Sequence, residues 1–283
     1  MLLNRETAFA LILFLIASGP GWLSAGEKKK MAVTIDDLPG LTHGLIDSLK
    51  QAACFRRIVQ IFNNHGIQVT GFVVGALING HNTNLLKEFI DQGHTIGNHT
   101  YSHPDLNKVS ADRFITDIAE NQQLLSGYQS TILYFRFPLL HRGNTTAKRD
   151  SVVNYLREQG YLIAPVTIDS DETSYNLAFV RAWFSNQSSL ADSIGAAYVR
   201  HMIAKSKEYD RLGIAKTGRP VRQILLIHLN WINSFYLEPL INWYEANNWE
   251  FITLDEALKD PVYNAEDIYT GTKGVSWLER IRK

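Results

Sequence analysis

The chain has 283 residues, with 28 Lys and Arg against 28 Asp and Glu, and is 45% hydrophobic. This charge balance argues against a dedicated nucleic-acid binder, which carries a basic excess. The hydrophobic content supports a sizeable core, and the length suits a single α/β barrel. The one cysteine, Cys54, leaves no intramolecular disulfide and reads as buried packing.

Arg5 precedes a short apolar run over 8–17, followed by Gly19-Pro20-Gly21 and Leu23-Ser24-Ala25-Gly26. This pattern predicts a secretory signal peptide over 1–25 and export to the periplasm or the cell exterior. The run is short for a membrane span, and an uncleaved anchor and a cytosolic protein are the alternatives. A single catalytic domain over 26–283 is expected, with no repeat and no linker.

The continuous apolar run 31–35 reads as a buried parallel strand. Residues 48–64 have helical spacing, with Leu49, Ala53, Ile58 and Ile61 on the apolar side, ended by His65-Gly66. Strands follow at 69–74, 94–98, 132–135, 161–168, 223–227 and 249–252. Helices are expected at 85–92, at 112–125 with Ser110 as cap, and at 146–159 stopped by Gly160. Three more are expected at 189–212, 235–247 and 254–258. About seven alternations of strand and helix predict an α/β fold, a distorted parallel (β/α)7-type barrel.

Asp36-Asp37, His99 and His103, Arg136, the acidic stretch 169–172 and His228 each follow a predicted strand. In a parallel barrel those ends form one face, where active sites assemble. H-x-x-x-H at 99–103 offers two imidazoles, and Pro104 disfavours a helical His103, so a turn is expected there. Catalytic zinc takes three protein ligands and keeps one open position. Asp37, His99 and His103 would supply them, and the same set would hold cobalt, nickel or iron. Asp36 is then left as a base beside an acidified water. Read alone, Asp36-Asp37 before Pro39-Gly40 is equally a helix cap or an Asx turn.

His228 at a barrel mouth is either a proton donor to a leaving group or a satisfied strand-end histidine. Arg136 is either a bidentate partner for a carboxylate such as Asp36 or an ordinary surface arginine. His94 reads as structural.

The segments TIDDLPG, GHTIGN followed by HTYSHPDL, RFP, IDSDETSYN and LLIH resemble the polysaccharide deacetylases. That family is carbohydrate esterase family four, the NodB-homology domain. Order and spacing match over about 31–258. The resemblance implies a zinc-dependent hydrolase that removes acetyl groups from N-acetylated sugars, or O-acetyl groups in some members. Its partner would be an acetylated glycan, and no protein partner is expected. It implies Asp36 as base, Asp37, His99 and His103 as metal ligands, His228 as acid and Arg136 as the group orienting Asp36.

Three positions depart from the family pattern. Leu139 replaces a tyrosine whose main-chain N–H serves the oxyanion, and a main-chain donor survives that change. Glu172-Thr173 replaces an acid–tryptophan pair. Glu172 keeps the capacity to tune His228, while the indole wall of the groove is gone. Leu38 stands where glycine is usual. A non-catalytic carbohydrate-binding barrel and an O-acetyl esterase are the alternatives. A glycosidase is disfavoured, because its carboxylates flank one bond about 5–9 Å apart.

Overall fold

The computed structural model describes residues 28–40 and 48–282. The expected signal peptide at 1–25 lies outside the described residues. Among those described, no helix is long and apolar enough to cross a membrane.

Seven parallel strands form one curled sheet: β1 (Lys29–Leu38), β2 (Thr70–Val73), β3 (Thr95–Asn98), β4 (Tyr134–Phe135), β5 (Leu162–Ile163), β6 (Gln223–His228) and β7 (Trp249–Phe251). The order is β5-β4-β3-β2-β1-β6, and β7 pairs with the start of β1. Residues 162–168 pair with β4 at one end and with β6 at the other, where Ile168 bridges Leu225. This segment carries the sheet round into an incompletely closed barrel, the α/β architecture predicted. The expected strand at 161–168 is thus regular only over its first residues. Pro165 interrupts it, since proline cannot donate to a ladder.

The helices are α1 (Ser48–Asn64), α2 (Thr83–Asp91), α3 (Ala111–Leu125), α4 (Thr146–Glu158), α5 (Glu172–Phe184), α6 (Ser188–Thr217), α7 (Asn233–Ala246), α8 (Leu254–Leu258) and α9 (Trp277–Arg280). Ser110 caps α3 by accepting from the Arg113 N–H at 3.2 Å. Gly160 (φ 77°) and Gly218 (φ 75°) follow the ends of α4 and α6 in the left-handed region. The buried side of α1 is Cys54, Phe55, Ile58, Val59, Ile61 and Phe62. Leu49 and Ala53 face outward, which corrects the expected apolar stripe.

Helix α5 was not predicted. Its apolar residues Phe179, Val180 and Ala182 are buried, but polar Glu172 and Asn176 are buried with them. That mixture blurs helical periodicity. The segment after α8 was also unread. It ends in α9, where Ser276 and Glu279 form a capping box.

Candidate active site

The site sits at the C-terminal ends of β1, β3, β4 and β6. Two ladder positions build it. Asp36 of β1 is in register with His228 of β6, so these two side chains stand on neighbouring strands. Asn98 of β3 is in register with Phe135 of β4, which brings His99 beside Arg136.

Consecutive strand residues normally face opposite sides of a sheet. Asp36 and Asp37 nevertheless share a cleft. The register shifts between Ile35 and Leu38, and Asp37 adopts φ 63°. This irregularity turns the second carboxylate toward the first.

Asp36 is buried. Its Oδ1 accepts from Arg136 Nη1 at 2.7 Å, and its Oδ2 lies 3.7 Å from His99 Nε2. Burial alone would raise its carboxyl, but Arg136, with His99 and His228, outweighs this and holds it below the usual carboxylate range. Arg136 is 1% exposed, not a surface arginine. It lies 4.1 Å from the centre of the Phe72 ring. Its contact with Asp36 is through Nη1 alone, which corrects the expected bidentate pair. Nη1 also reaches Thr34 Oγ1 at 2.6 Å, Nε donates to the Ala164 carbonyl at 3.0 Å, and buried Nη2 has no hydrogen-bond partner.

His99 Nδ1 lies 2.9 Å from the Arg136 carbonyl, which can only accept. That contact places the proton on Nδ1 and leaves the Nε2 lone pair facing the cleft. Burial, against the pull of Asp36 and Asp37, lowers the His99 pKa and keeps the ring neutral. Asp37 Oδ1 is 3.7 Å from His99 Nε2 and 3.4 Å from His103 Nε2. One ligand atom from each of Asp37, His99 and His103 falls within 4.8 Å of the others. Asp37 Oδ1 is buried and has no hydrogen-bond partner. A buried carboxylate oxygen without a donor, facing two imidazole nitrogens, fits a divalent cation.

The turn carrying the histidines is held by residues the sequence reading missed. Asp117 accepts from both the N–H and the hydroxyl of Ser102 at 2.8 and 2.6 Å. Asn98 Oδ1 accepts from the Thr100 N–H at 2.8 Å. His103 is non-helical, as Pro104 requires, but takes φ 56°, not an extended conformation.

His228 Nδ1 is 2.9 Å from Glu172 Oε1, and its Nε2 is 3.8 Å from Asp37 Oδ2. Burial opposes its charge, but the Glu172 carboxylate, helped by Asp37 and Asp36, pushes the imidazole up to about 9. Glu172 is itself buried. Its Oε2 accepts from Tyr198 at 3.1 Å and Asn233 at 2.9 Å. Neither partner was found from sequence, since each lies on a distant helix.

The open cleft measures about 270 Å³ and is completed by Leu139, Leu140, Asp169, Thr173 and Leu226. Burial, with Asp171 nearby, raises the Asp169 carboxyl. Leu139 lies in a 3-10 turn (Pro138–Leu140), and Leu139 and Leu140 both have positive φ, 57° and 55°. The Leu139 N–H is in the first turn, where helix geometry supplies no internal acceptor. His94 is apart from the cleft, 4.7 Å from the Phe89 ring, with burial lowering its pKa to about 4. Cys54 is buried and its thiol is pushed up to about 12, consistent with inert packing.

This fold and cleft agree with the comparisons to known proteins. The polysaccharide deacetylase family model matches residues 24–161, which carry Asp36, Asp37, His99, His103 and Arg136. Over these residues the chain is similar to the polysaccharide deacetylase family. A peptidoglycan-N-acetylglucosamine deacetylase of Bacillus cereus is 35% identical over 102 residues, covering 35% of this chain and 32% of that protein. The peptidoglycan-N-acetylmuramic acid deacetylase PdaA of Bacillus subtilis is 32% identical over 85 residues, 29% of this chain and 32% of that one. The chain thus spans about a third of the length of these two relatives.

The chitin deacetylase of Colletotrichum lindemuthianum superposes with a TM-score of 0.58 at 18% identity, over 83% of this chain and 89% of that one. A family-four pseudoenzyme of Bacillus anthracis superposes at 0.55 and 17% identity, over 82% and 66%. At these identities the shared property is the fold.

Proposed function

We propose that the protein is a metal-dependent hydrolase that removes acetyl groups from N-acetylated sugars of a polysaccharide. One observation carries this reading: a buried Asp36–Arg136 pair, the Asp37, His99 and His103 set, and a His228–Glu172 pair converge on one cleft. A bare carbohydrate-binding barrel has no use for a protonated histidine opposite a buried carboxylate. The names of the relatives favour peptidoglycan as the polymer.

Asp37, His99 and His103 would hold the cation. When bound, it would polarise the acetyl carbonyl and make a water acidic near neutral pH. Zinc suits this donor set, and cobalt would serve. Asp36 takes the water's proton on Oδ2, because Arg136 occupies Oδ1. The depressed Asp36 pKa keeps it ionised and ready. The Leu139 N–H, on a residue that lines the cleft, would serve the oxyanion as a main-chain donor. His228 holds a proton on Nε2 at neutral pH and delivers it to the departing amine, with Glu172 fixing the ring through Nδ1.

Acetate release by the zinc-loaded protein across N- and O-acetylated glycans tests the reading. Turnover of an N-acetylated polymer supports it. Full zinc occupancy with no turnover on any acetylated sugar would favour a pseudoenzyme. Turnover confined to O-acetyl substrates would reassign the protein as an esterase. We further propose export through the segment before Gly26. The mature N-terminus of the exported protein should lie near Gly26, and an intact Met1 in the cytosol would refute this.

A further inference from the structure

The oxyanion loop places two consecutive non-glycine residues, Leu139 and Leu140, at positive φ. Such backbone persists only where its surroundings over-determine it. On one side the loop is held by its own turn, with Leu140 N–H to the Phe137 carbonyl at 3.1 Å and His141 N–H to the Pro138 carbonyl at 3.0 Å. The other side is held by a segment that lies beyond the residues matched by the family model.

That segment is the C-terminal loop 267–277. Both of its ends are pinned. Asp267 takes Arg280 Nε at 3.0 and 3.1 Å and Arg142 Nη1 at 3.0 Å, while its carbonyl accepts from Arg149 at 2.8 Å. Arg142 comes two residues after Leu140 and lies near the rings of Phe137 and Trp277, at 5.2 and 5.3 Å. At the far end Ser276 Oγ donates to the Thr167 carbonyl and the Trp277 N–H to the Val166 carbonyl, each at 2.7 Å. Midway, Asn107 Nδ2 donates to the Thr272 carbonyl at 2.7 Å.

Between these anchors, Gly274 lies against the oxyanion turn. A Cβ on Gly274 would sit 2.2 Å from the Leu139 carbonyl oxygen and 3.3 Å from Leu140 Cβ. Gly274 does not have a positive φ, so close approach, not backbone conformation, is what demands glycine here. The atom it meets is main chain and cannot swing aside as a side-chain tip would.

We infer that Gly274 is a positioning residue: it clamps the Leu139 carbonyl, fixing the 139–140 peptide plane, and so holds Leu139 in the left-handed conformation that sets the preceding peptide, which carries the Leu139 N–H. The inference rests on the reading of that N–H as the oxyanion donor. The segment that looks like a tail is then part of the catalytic loop's support, and it adapts a leucine-bearing turn to the oxyanion task.

The test is Gly274→Ala in the full chain, with exposed Lys273→Ala as the neighbouring control. Melting temperature and zinc content report the fold and the ligands, and amide resonances of Leu139 and Leu140 report the loop. Turnover is read on an N-acetylglucosamine oligomer. Gly274→Ala should keep its zinc, shift both amides and lower kcat by about 10–100-fold with KM little changed, the effect of a donor misplaced by about 1 Å. Lys273→Ala should match the wild type. If Gly274→Ala does not fold, Asn107→Ala loosens the loop without crowding it and should shift the same two amides by less. Unchanged Leu139 and Leu140 amides overturn the inference, as does a kcat loss accompanied by lost zinc. A wild-type protein without turnover would overturn the functional reading, while the amide shifts would still decide the clamp.

Discussion

Glu172→Gln isolates the charge behind the proposed acid. In the wild type His228 is pushed up to about 9 from an ordinary value of 6.5. That difference corresponds to about 3 kcal/mol in favour of the charged imidazole. Burial works in the opposite direction, so the carboxylates of Glu172, Asp37 and Asp36 together supply more than the whole rise, with Glu172 foremost. Glutamine keeps the shape but not the charge, and whichever way its amide points, either the His228 N–H or Asn233 Nδ2 loses its acceptor. The variant's imidazole should then fall to about 6.5 or below. At pH 8 a group titrating at about 9 is about nine-tenths protonated, and one at 6.5 about 3%, a loss of about 30-fold. The assay is kcat/KM against pH, whose alkaline limb reports the acid of the free enzyme. The limb should move down by more than two pH units while the acid limb stays. The same linkage reaches stability in the metal-free protein. A raised folded pKa gives stability that is complete below pH 6.5 and is lost as pH rises through about 9. Urea stability of Glu172→Gln should be flatter across that window. Superimposable alkaline limbs in a folded variant would refute the reasoning.

Alanine at Asp37, His99 or His103 should bring bound zinc below one per chain after dialysis, and full occupancy in His103→Ala would remove that residue from the site. Arg136→Met should cost about 3–5 kcal/mol in urea unfolding, because it strands a buried Asp36 charge. Adding Asp36→Asn should recover part of this, whereas strictly additive losses would mean that the pair is not coupled. His228→Ala should retain zinc and lose about 10²–10⁴ in kcat on an amide. The loss should shrink on an acetyl ester, whose alkoxide leaves more readily, and equal losses on both substrates would count against the acid role.

The strands were legible because parallel strands buried on both faces are continuous apolar runs, as in residues 31–35 and 223–227. The side chains lining the cleft were legible because they cluster at strand ends in recognisable motifs. What supports them was not. Tyr198 and Asn233 reach Glu172 from 26 and 61 residues away, and Gly274 meets Leu139 through space alone. Such partners leave no periodic trace. Arg136 was misread in detail for a related reason: nothing local told that Thr34 and Ala164 would compete for its donors. Helix α5 was hidden because its first turns bury two polar groups, Glu172, which serves His228, and Asn176, which accepts from the Ile232 N–H.

The register of Asp36 with His228 has a consequence for how the molecule fails on heating. β1 pairs with β2, β6 and β7, so the residues proposed as base and acid belong to the most heavily bonded stretch of backbone. Elements of that kind open last, close to the global unfolding limit, while loops open first. His103 and Leu139 are on loops held by a few side-chain and packing contacts. Warming should therefore loosen His103 and Leu139, proposed as a cation ligand and as the oxyanion donor, before Asp36 and His228 part. Inactivation of this kind precedes unfolding and reverses on cooling, with the inter-strand spacing acting as a template for reassembly.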